Sequence, residues 1–410
     1  MKKVLIVDDD PSILQIASMR LRAESVEVLT ASDGAEGLRL VREHRPAVVV
    51  LDLMMPKIHG FSVLQQLRSD PALRPVKVLV TSAKGYASDV ERVQQLGADR
   101  YLHKPYNLQE FWETVAELLG ERKARFSVRF WGTRGSIATP GPATVKYGGN
   151  TACTEVRCGQ QLLILDAGTG IRMLGLSLQE EFEGRPFKGH IFVGHTHWDH
   201  IQGFPFFGPA FQEGNEFTIY SLRGAEKPLE RIFRGQMDSD YFPVRLTEMK
   251  AHLIFSELES DVDLGGPRVS YVFLNHPGLA VGFRIRFEGR SVTYISDHET
   301  YGRLNPDGQH PNPMDVEVVQ FAANTDLLIS EAQYTEEEYE AKRGWGHSTF
   351  LDVLERAAQA RAKTLALFHH DPSHEDRFLD DVEDFCNKTV QERNYDFRCF
   401  LAREGMTVEL

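Results

Sequence analysis

Short apolar runs alternate with amphipathic stretches through the first 121 residues. The runs are V-L-I-V (4–7), V-E-V-L (26–29), A-V-V-V-L (47–51), V-K-V-L-V (76–80) and R-Y-L (100–102). Each has the length of a strand. The segments between them repeat apolar residues every three or four positions, as at Phe111, Val115, Leu118 and Leu119. Strands alternating with helices predict a parallel sheet covered on both faces, here a small doubly wound (βα)5 domain. Residues 120–125 (G-E-R-K-A-R) interrupt this rhythm with charge and no large apolar side chain, and read as a hinge. Beyond it, strands are separated by glycine-rich turns such as G-G-N (148–150) and D-A-G-T-G (166–170). A helical pattern follows near 348–361, then a strand, T-L-A-L-F (364–368). This half reads as mixed α/β with many antiparallel strands. The expected boundaries are 1–121 for the first domain, 122–126 for the linker and 127–410 for the second domain. The proline-rich segment 305–313 reads as a surface loop.

Composition narrows the class. The chain has 410 residues, 42% hydrophobic and 26% charged, which excludes disorder and collagen-like repeats. Four cysteines (Cys153, Cys158, Cys386, Cys399) are too few for a disulfide scaffold and form no C-x-x-C pair. Cys153 and Cys158 read as packing residues on a strand. No apolar run approaches the roughly 18 residues of a membrane span. The opening M-K-K-V-L-I-V-D-D-D reads as a strand entering a polar loop rather than a signal peptide, so a cytoplasmic location is expected.

In an open parallel sheet, functional groups gather at the carboxyl ends of the strands. Those ends carry Asp8 and Asp9, Asp52, Ser82 and Lys104-Pro105. Converging carboxylates call for a hard divalent cation, and magnesium suits an oxygen-rich site. With it, Asp52 can attack a phosphoryl donor while Lys104 offsets charge and a hydroxyl from Ser82 hydrogen-bonds the transferred group. The motifs V-D-D-D (7–10), L-D-L-M-M-P (51–56), T-S-A-K (81–84), G-A-D (97–99) and H-K-P-Y (103–106) make residues 1–121 resemble the receiver domain of two-component response regulators. That resemblance implies Asp52 as phosphoacceptor, Asp8 and Asp9 as magnesium ligands, Ser82 (or its neighbour Thr81) as switch hydroxyl and Tyr101 as switch aromatic. It also implies a sensor histidine kinase as partner and dimerisation through the receiver.

The segment H-I-F-V-G-H-T-H-W-D-H (190–200) is the most informative in the chain. A strand runs into a loop carrying His195, His197, Asp199 and His200, four metal-ligating groups within six residues. One pair can face one cation and the second pair another. His276, Asp297 and His369 follow later apolar runs. They complete the pattern, with His276 at the first site, His369 at the second and Asp297 bridging both. Nitrogen and oxygen donors suit zinc, and manganese or iron are accepted by the same set.

The H-x-H-x-D-H motif and the order of the later ligands resemble the metallo-β-lactamase fold superfamily over about residues 126–410. The implied fold is an αββα sandwich of two mixed sheets with helices outside. The D-A-G-T-G turn also matches, with Asp166 either a partner of a metal-bound histidine or a plain turn residue. G-W-G-H-S-T (344–349) and A-L-F-H-H-D-P (366–372) resemble the branch of ribonuclease Z and related phosphodiesterases. This branch implies that His347 lies near the substrate phosphate and assists proton transfer, the alternative being a helix-start histidine held by Ser348 or Thr349. Asp199 can accept the attacking water's proton, and Glu331 is a candidate to orient His347. His370, Asp371 and His374 read as loop structure.

Charge bears on the substrate. Residues 1–121 carry 15 basic and 17 acidic side chains, leaving 31 and 42 for the rest, a net of −11 out of −13. No long basic arm is present to grip a polyanion, although Arg129, Arg134 and Arg172 are candidates to line a modest pocket. The expectation is a response regulator whose output is a dinuclear metal-dependent phosphodiesterase for a small or cyclic phosphodiester, regulated at Asp52. The alternatives are a lactone or thioester hydrolase on the same fold, and a metal-binding signalling scaffold without turnover. No helix-turn-helix or basic module follows the receiver, so direct DNA binding is not expected, nor is a membrane partner.

Overall fold

Strict alternation of side chains turns each of the five apolar runs into a strand between two helical layers. The computed structural model describes the chain except residues 1, 24–25, 56–57, 84–91, 121–125, 225–226 and 305–311. The strands are β1 (Lys3–Val7), β2 (Glu27–Ala31), β3 (Val48–Asp52), β4 (Lys77–Ser82) and β5 (Arg100–His103), all parallel in the order β2-β1-β3-β4-β5. Leu5 and Val7 of β1 enter one core, Val4 and Ile6 the other, so β1 has no solvent face and reads as a continuous apolar run. Helices cover both faces at Pro11–Arg22, Gly34–His44, Gly60–Ser69 and Leu108–Leu118. Asp10, Asp33 and Asn107 cap three of them by accepting backbone N–H bonds in the first turn.

The chain divides into two compact units, Met1–Ala124 and Arg125–Leu410. The hinge expected at 120–125 falls almost wholly outside the described residues. Its expected last residue, Phe126, does not belong to a linker. It opens the next strand because its ring is buried and packs edge-on against Phe287, with centroids 5.7 Å apart.

The second unit is built from two seven-stranded mixed sheets. The first contains β6 (Phe126–Gly132), β7 (Cys153–Cys158), β8 (Gln161–Leu165), β9 (Lys188–Phe192), β10 (Glu216–Ser221), β11 (His252–Glu257) and, at its edge, β19 (Thr407–Glu409). The second contains β12 (Val262–Asp263), β13 (Arg268–Leu274), β14 (Ala280–Phe287), β15 (Arg290–Ile295), β16 (Leu327–Glu331), β17 (Thr364–Phe368) and β18 (Arg398–Leu401). Each sheet begins as an antiparallel meander and continues with parallel strands. The chain shows no sequence repeat, yet the two sheets share this plan.

The sheets pack face to face through aromatic contacts such as Phe130–Phe368 and Phe192–Phe283, with centroids 6.3 and 5.5 Å apart. On the outer face of the first sheet, Leu162, Ile164 and Ile191 meet the helix Ile171–Phe182 through Ile171, Leu174 and Leu178. On the second, Leu328, Leu365 and Leu367 meet Phe350, Val353, Leu354 and Ala357 of the helix Phe350–Ala360, and Leu379, Val382 and Cys386 of the helix Asp376–Glu392. The expected helix and strand near 348–368 thus appear as Phe350–Ala360 and β17. Cys153 and Cys158 are buried on β7. Of the expected loop 305–313, residues 305–311 lie outside the described residues. Asn312 caps the helix Pro313–Phe321, so the helix takes the last residue of the expected loop.

Candidate metal centre

Parallel strands deliver side chains to a common edge, and here both sheets do so. β8 leads into Asp166, β9 into the loop carrying His195 and His197, β15 into Asp297, and β17 into His369, while β16 ends on Glu331. His276 follows β13, and Asp199 and His200 lie in the single helical turn Trp198–Ile201. Asp166 and His369 are each the first residue after a strand, and both adopt left-handed backbone conformations with φ of 61° and 64°. Non-glycine residues take up that strain where the surrounding packing holds them. Beside His369, only glycine fits at position 135, because a Cβ there would stand 2.4 Å from the imidazole.

The side chains gather in two sets. His195, His197 and His276 form one, and Asp199, His200, Asp297 and His369 form the other. Within the first, His276 Nε2 is 3.0 Å from His197 Nδ1. Asp297 Oδ2 reaches this set too, 3.5 Å from His195 Nε2 and 3.6 Å from His276 Nε2. In the second, His369 Nε2 is 3.2 Å from His200 Nε2, from Asp199 Oδ2 and from Asp297 Oδ1. His200 Nε2 stands 3.3 Å from Asp199 Oδ2 and 3.4 Å from Asp297 Oδ1. Asp297 therefore presents one oxygen to each set. His197 is exposed, whereas all four members of the second set are buried.

These contacts have the pattern of metal ligation. Donors held 2.0–2.1 Å from one tetrahedral cation stand about 3.3 Å from each other. The pairs also bring nitrogen to nitrogen, and several nitrogens onto the same two carboxylates. Both nitrogens of His195, and Asp297 Oδ1, are buried without a hydrogen-bond partner among the described residues. Such atoms are costly to bury unless something else satisfies them. A pair of divalent cations fits this donor set.

Outer contacts fix these side chains. His200 Nδ1 donates to Asp166 Oδ2 at 2.8 Å, Tyr294 Oη donates to the same oxygen at 2.6 Å, and Gly194 N donates to Oδ1 at 2.8 Å. Asp166 thus sets the His200 tautomer that leaves Nε2 free for the cluster. Ser136 N donates to Asp199 Oδ2 at 2.7 Å, and the Gly346 carbonyl accepts from His276 Nδ1 at 3.0 Å. Tyr294 and Ser136 carried no sequence signal, because a tyrosine within a strand and a loop backbone group read as packing and turn; Gly346 lay within the G-W-G-H-S-T motif, which did not reveal its carbonyl's contact with His276.

The electrostatics follow from burial and crowding. Burial pushes His195 well below the ordinary histidine value and His276 down to about 4. For Asp297, burial opposes ionisation, but His369, His200 and His195 hold it far below the usual carboxylate range. Burial likewise opposes protonation of His200, yet Asp199, Asp297 and Asp166 hold it well above its ordinary value. The second set is a place where positive charge is stabilised.

His347 stands beside both sets. Its ring centroid is 5.3 Å from those of His276 and His369, and one nitrogen lies within the reach of His276 and Asp297. Its Nδ1 faces Glu331 Oε2 at 3.6 Å, an ion-pair distance. Burial disfavours the imidazolium, but Glu331, Asp297 and Asp199 raise His347 above the ordinary value. Neither residue expected to hold it as a helix-start histidine does so. Ser348 N donates to Glu331 Oε1 and its hydroxyl to the His298 carbonyl, while Thr349 caps the helix through Asp352 N.

Other candidates are engaged elsewhere. Arg134, wholly buried, donates to the carbonyls of Gly148, Asp371 and His374, so it lines no pocket. Arg129 lies over the Trp131 ring, and Arg172 is exposed. His370 bonds the Ala402 carbonyl, Asp371 pairs with Lys342, and His374 bonds Glu338, all in loop-structural roles.

In the first unit, Lys104 Nζ sits 2.7 Å from both Asp8 Oδ2 and Asp52 Oδ1. Asp52 Oδ2 accepts from Met54 N, and Asp8 Oδ1 from Asp10 N. Asp9 is exposed beside them. Burial raises the Asp8 carboxyl above its usual range. Along β4, Val78 and Val80 enter the core against which Tyr101 packs, and Leu79 the opposite one, so alternation puts Ser82 on the Tyr101 side and Thr81 on the other. Pro56 and Lys84 of the expected motifs lie outside the described residues.

The model of the response regulator receiver domain matches residues 4–116, and that of the beta-lactamase superfamily domain matches residues 162–370. The polar-differentiation response regulator DivK of Brucella anthropi is 32% identical over 120 residues, which are 29% of this chain and 98% of that protein. The DNA-binding dual master transcriptional regulator RpaA of Synechocystis is 39% identical over 119 residues, 29% of this chain; the chain spans about half the length (49%) of that relative. Among solved structures, the metallo-beta-lactamase fold protein YhfI from Bacillus subtilis aligns with 70% of this chain and 100% of its own, at 17% identity and a TM-score of 0.50, a likeness of fold alone.

Proposed function

Because this chain belongs to the beta-lactamase superfamily and carries a response regulator receiver domain ahead of that module, we propose that it is a two-component regulator whose output is a dinuclear metal-dependent phosphodiesterase. The observation that carries the reading is His347, a buried histidine whose Nδ1 faces Glu331 at 3.6 Å, whose hold on a proton Glu331 raises against the opposing effect of burial, and which stands against both ligand sets. Two cations, zinc or else manganese or iron, would be held by the seven ligands, and when bound they supply Lewis acidity and a nucleophile from water near neutral pH. The residues do the rest. Asp199, oriented by the Ser136 N–H, accepts the proton of the attacking water. His347 meets a phosphoryl oxygen with its positive charge and gives a proton to the departing alkoxide, and Glu331 holds the imidazolium in place.

A small phosphodiester suits this site better than a nucleic acid. Arg134 is committed to backbone carbonyls and Lys342 to Asp371, and the second half carries a net −11, so an extended polyanion finds little to bind. Regulation runs through Asp52, phosphorylated by a histidine kinase with magnesium held by Asp8 and Asp9, and Lys104 offsetting the added charge.

The test is hydrolysis of bis-p-nitrophenyl phosphate by metal-loaded protein, alongside cyclic nucleotides, short RNA, lactones and thioesters. His347→Ala is expected to keep two cations by elemental analysis and to lose about 10²–10⁴-fold in turnover. Wild-type turnover confined to lactones or thioesters, or none with two cations bound, would overturn the reading.

A further inference from the structure

The segment Gly344–His347 touches the centre twice, through the Gly346 carbonyl on His276 and through His347 itself. The backbone of Gly344 and Gly346 is held by one buried side chain, Glu299, two residues beyond the bridging Asp297 and 1% exposed. Its Oε1 accepts from Gly344 N at 2.8 Å and from Tyr339 Oη at 2.6 Å, and its Oε2 accepts from Gly346 N at 2.8 Å. All three partners are donors. Both glycines sit at left-handed φ, 86° and 87°, so the backbone can turn its N–H groups inward onto the carboxylate. A Cβ on Gly346 would stand 2.2 Å from His276 Nδ1, which shows how closely this turn rests on the ligand. Glu299 N in turn donates to the Asn275 carbonyl at 2.8 Å, tying the carboxylate's own backbone to the residue before His276.

We propose that Glu299 is the positioning residue of this centre, clamping Gly344 and Gly346 so that the Gly346 carbonyl fixes the His276 tautomer and His347 is delivered beside it. The role is selective. Glu299 bonds the loop that carries the Gly346 carbonyl and His347, and among the described residues it makes no hydrogen bond to Asp199, His200, Asp297 or His369, so its main effect falls on the His195–His197–His276 set. The proposal rests on the dinuclear-centre reading but not on the choice of substrate.

The variant Glu299→Gln tests it in the full chain. An amide offers one acceptor and one donor where three donors must be met, so at least one loop N–H is left facing an N–H. Stepwise zinc titration against a chelating indicator is expected to show one of the two cations lost by about 10–100-fold in affinity while the other changes less than threefold. Turnover should fall by about 10²-fold, chiefly in kcat. Tyr339→Phe, which removes one donor and leaves both loop bonds, should retain both cations. Gly346→Ala, pressing on His276 directly, should reproduce the selective loss and serves if Glu299→Gln does not fold. Equal weakening of both cations in Glu299→Gln and Gly346→Ala, an unchanged affinity in both, or the same loss in Tyr339→Phe would each overturn the proposal. Selective cation loss in a protein whose wild type hydrolyses no phosphodiester would sink the phosphodiesterase reading and leave this one standing.

Discussion

Asp166 concentrates three donors on two oxygens: His200 Nδ1, Tyr294 Oη and Gly194 N. Replacing it by Asn offers one acceptor and turns an N–H toward groups that themselves donate. The Asp166→Asn variant should therefore bind the cation of the buried set about 10–100-fold more weakly, read by competition with a chelator, while Tyr294→Phe costs less because two of the three bonds survive. The residue scale also explains which sequence expectations were easy. His195, His197, Asp199 and His200 lie within six positions, so any short loop brings them close. Asp166 and Glu331 were ambiguous, since a turn aspartate and a strand-end glutamate look the same with or without a partner. Glu299 gave no sign, because its three partners are one phenol and two backbone N–H groups.

At the scale of elements, the ends of β17 and β18 are joined by His370, which is wholly buried and donates Nε2–H to the Ala402 carbonyl at 2.9 Å. Burial pushes its pKa down to about 3. Above about pH 6.5 neither state is protonated there; between that value and about 3 the unfolded chain takes up a proton that the folded chain refuses. Stability is thus lost as pH falls, at no more than about 1.4 kcal/mol per pH unit from this group. The comparison is His370→Gln, which keeps an N–H for the Ala402 carbonyl and does not titrate. Urea unfolding of both proteins should show the wild type losing ground to the variant from pH 6.5 to 4, and parallel curves would remove the assignment. Element identity itself was largely readable, because runs such as T-L-A-L-F and the three-and-four spacing of Phe111 and Val115 have one stable outcome. Phe126 was not, since a lone aromatic after a charged stretch carries no strand pattern, and its place is fixed by pairing opposite Cys158 and by the Phe287 ring across the sandwich.

For the whole molecule, the central expectation is coupling between phosphorylation and turnover. Asp52 lies 2.7 Å from Lys104, which also holds Asp8, so a phosphoryl group on Asp52 must displace or re-aim that ion pair. Turnover of the wild type should change by severalfold on treatment with a small phosphodonor such as acetyl phosphate plus magnesium, whereas Asp52→Asn should bind the same two cations and give no response. Equal rates for the wild type with and without phosphodonor would remove the gating claim and leave the hydrolase intact. Among the described residues no helix is long and apolar enough to cross a membrane.

The order of strands and helices, the two-unit division and the nature of the ligands were set by the chain's own pattern, because periodicity and side-chain chemistry are local properties. The expected grouping, His276 with the first set, His369 with the second and Asp297 between them, matches the observed sets, but the distances that make each set were a matter of tertiary structure. His276, Asp297 and His369 come from three separated strand ends, and only the register of two facing sheets brings them within 3.0–3.5 Å of the H-x-H-x-D-H loop. The same holds for the supporting contacts, which span 28 to 128 positions between Asp166 and its donors and 45 to 47 between Glu299 and its glycines. A hydrogen bond depends on where an atom lies to a few tenths of an ångström. At such separations along the chain, that position is decided by the packing of sheets rather than by any neighbouring residue.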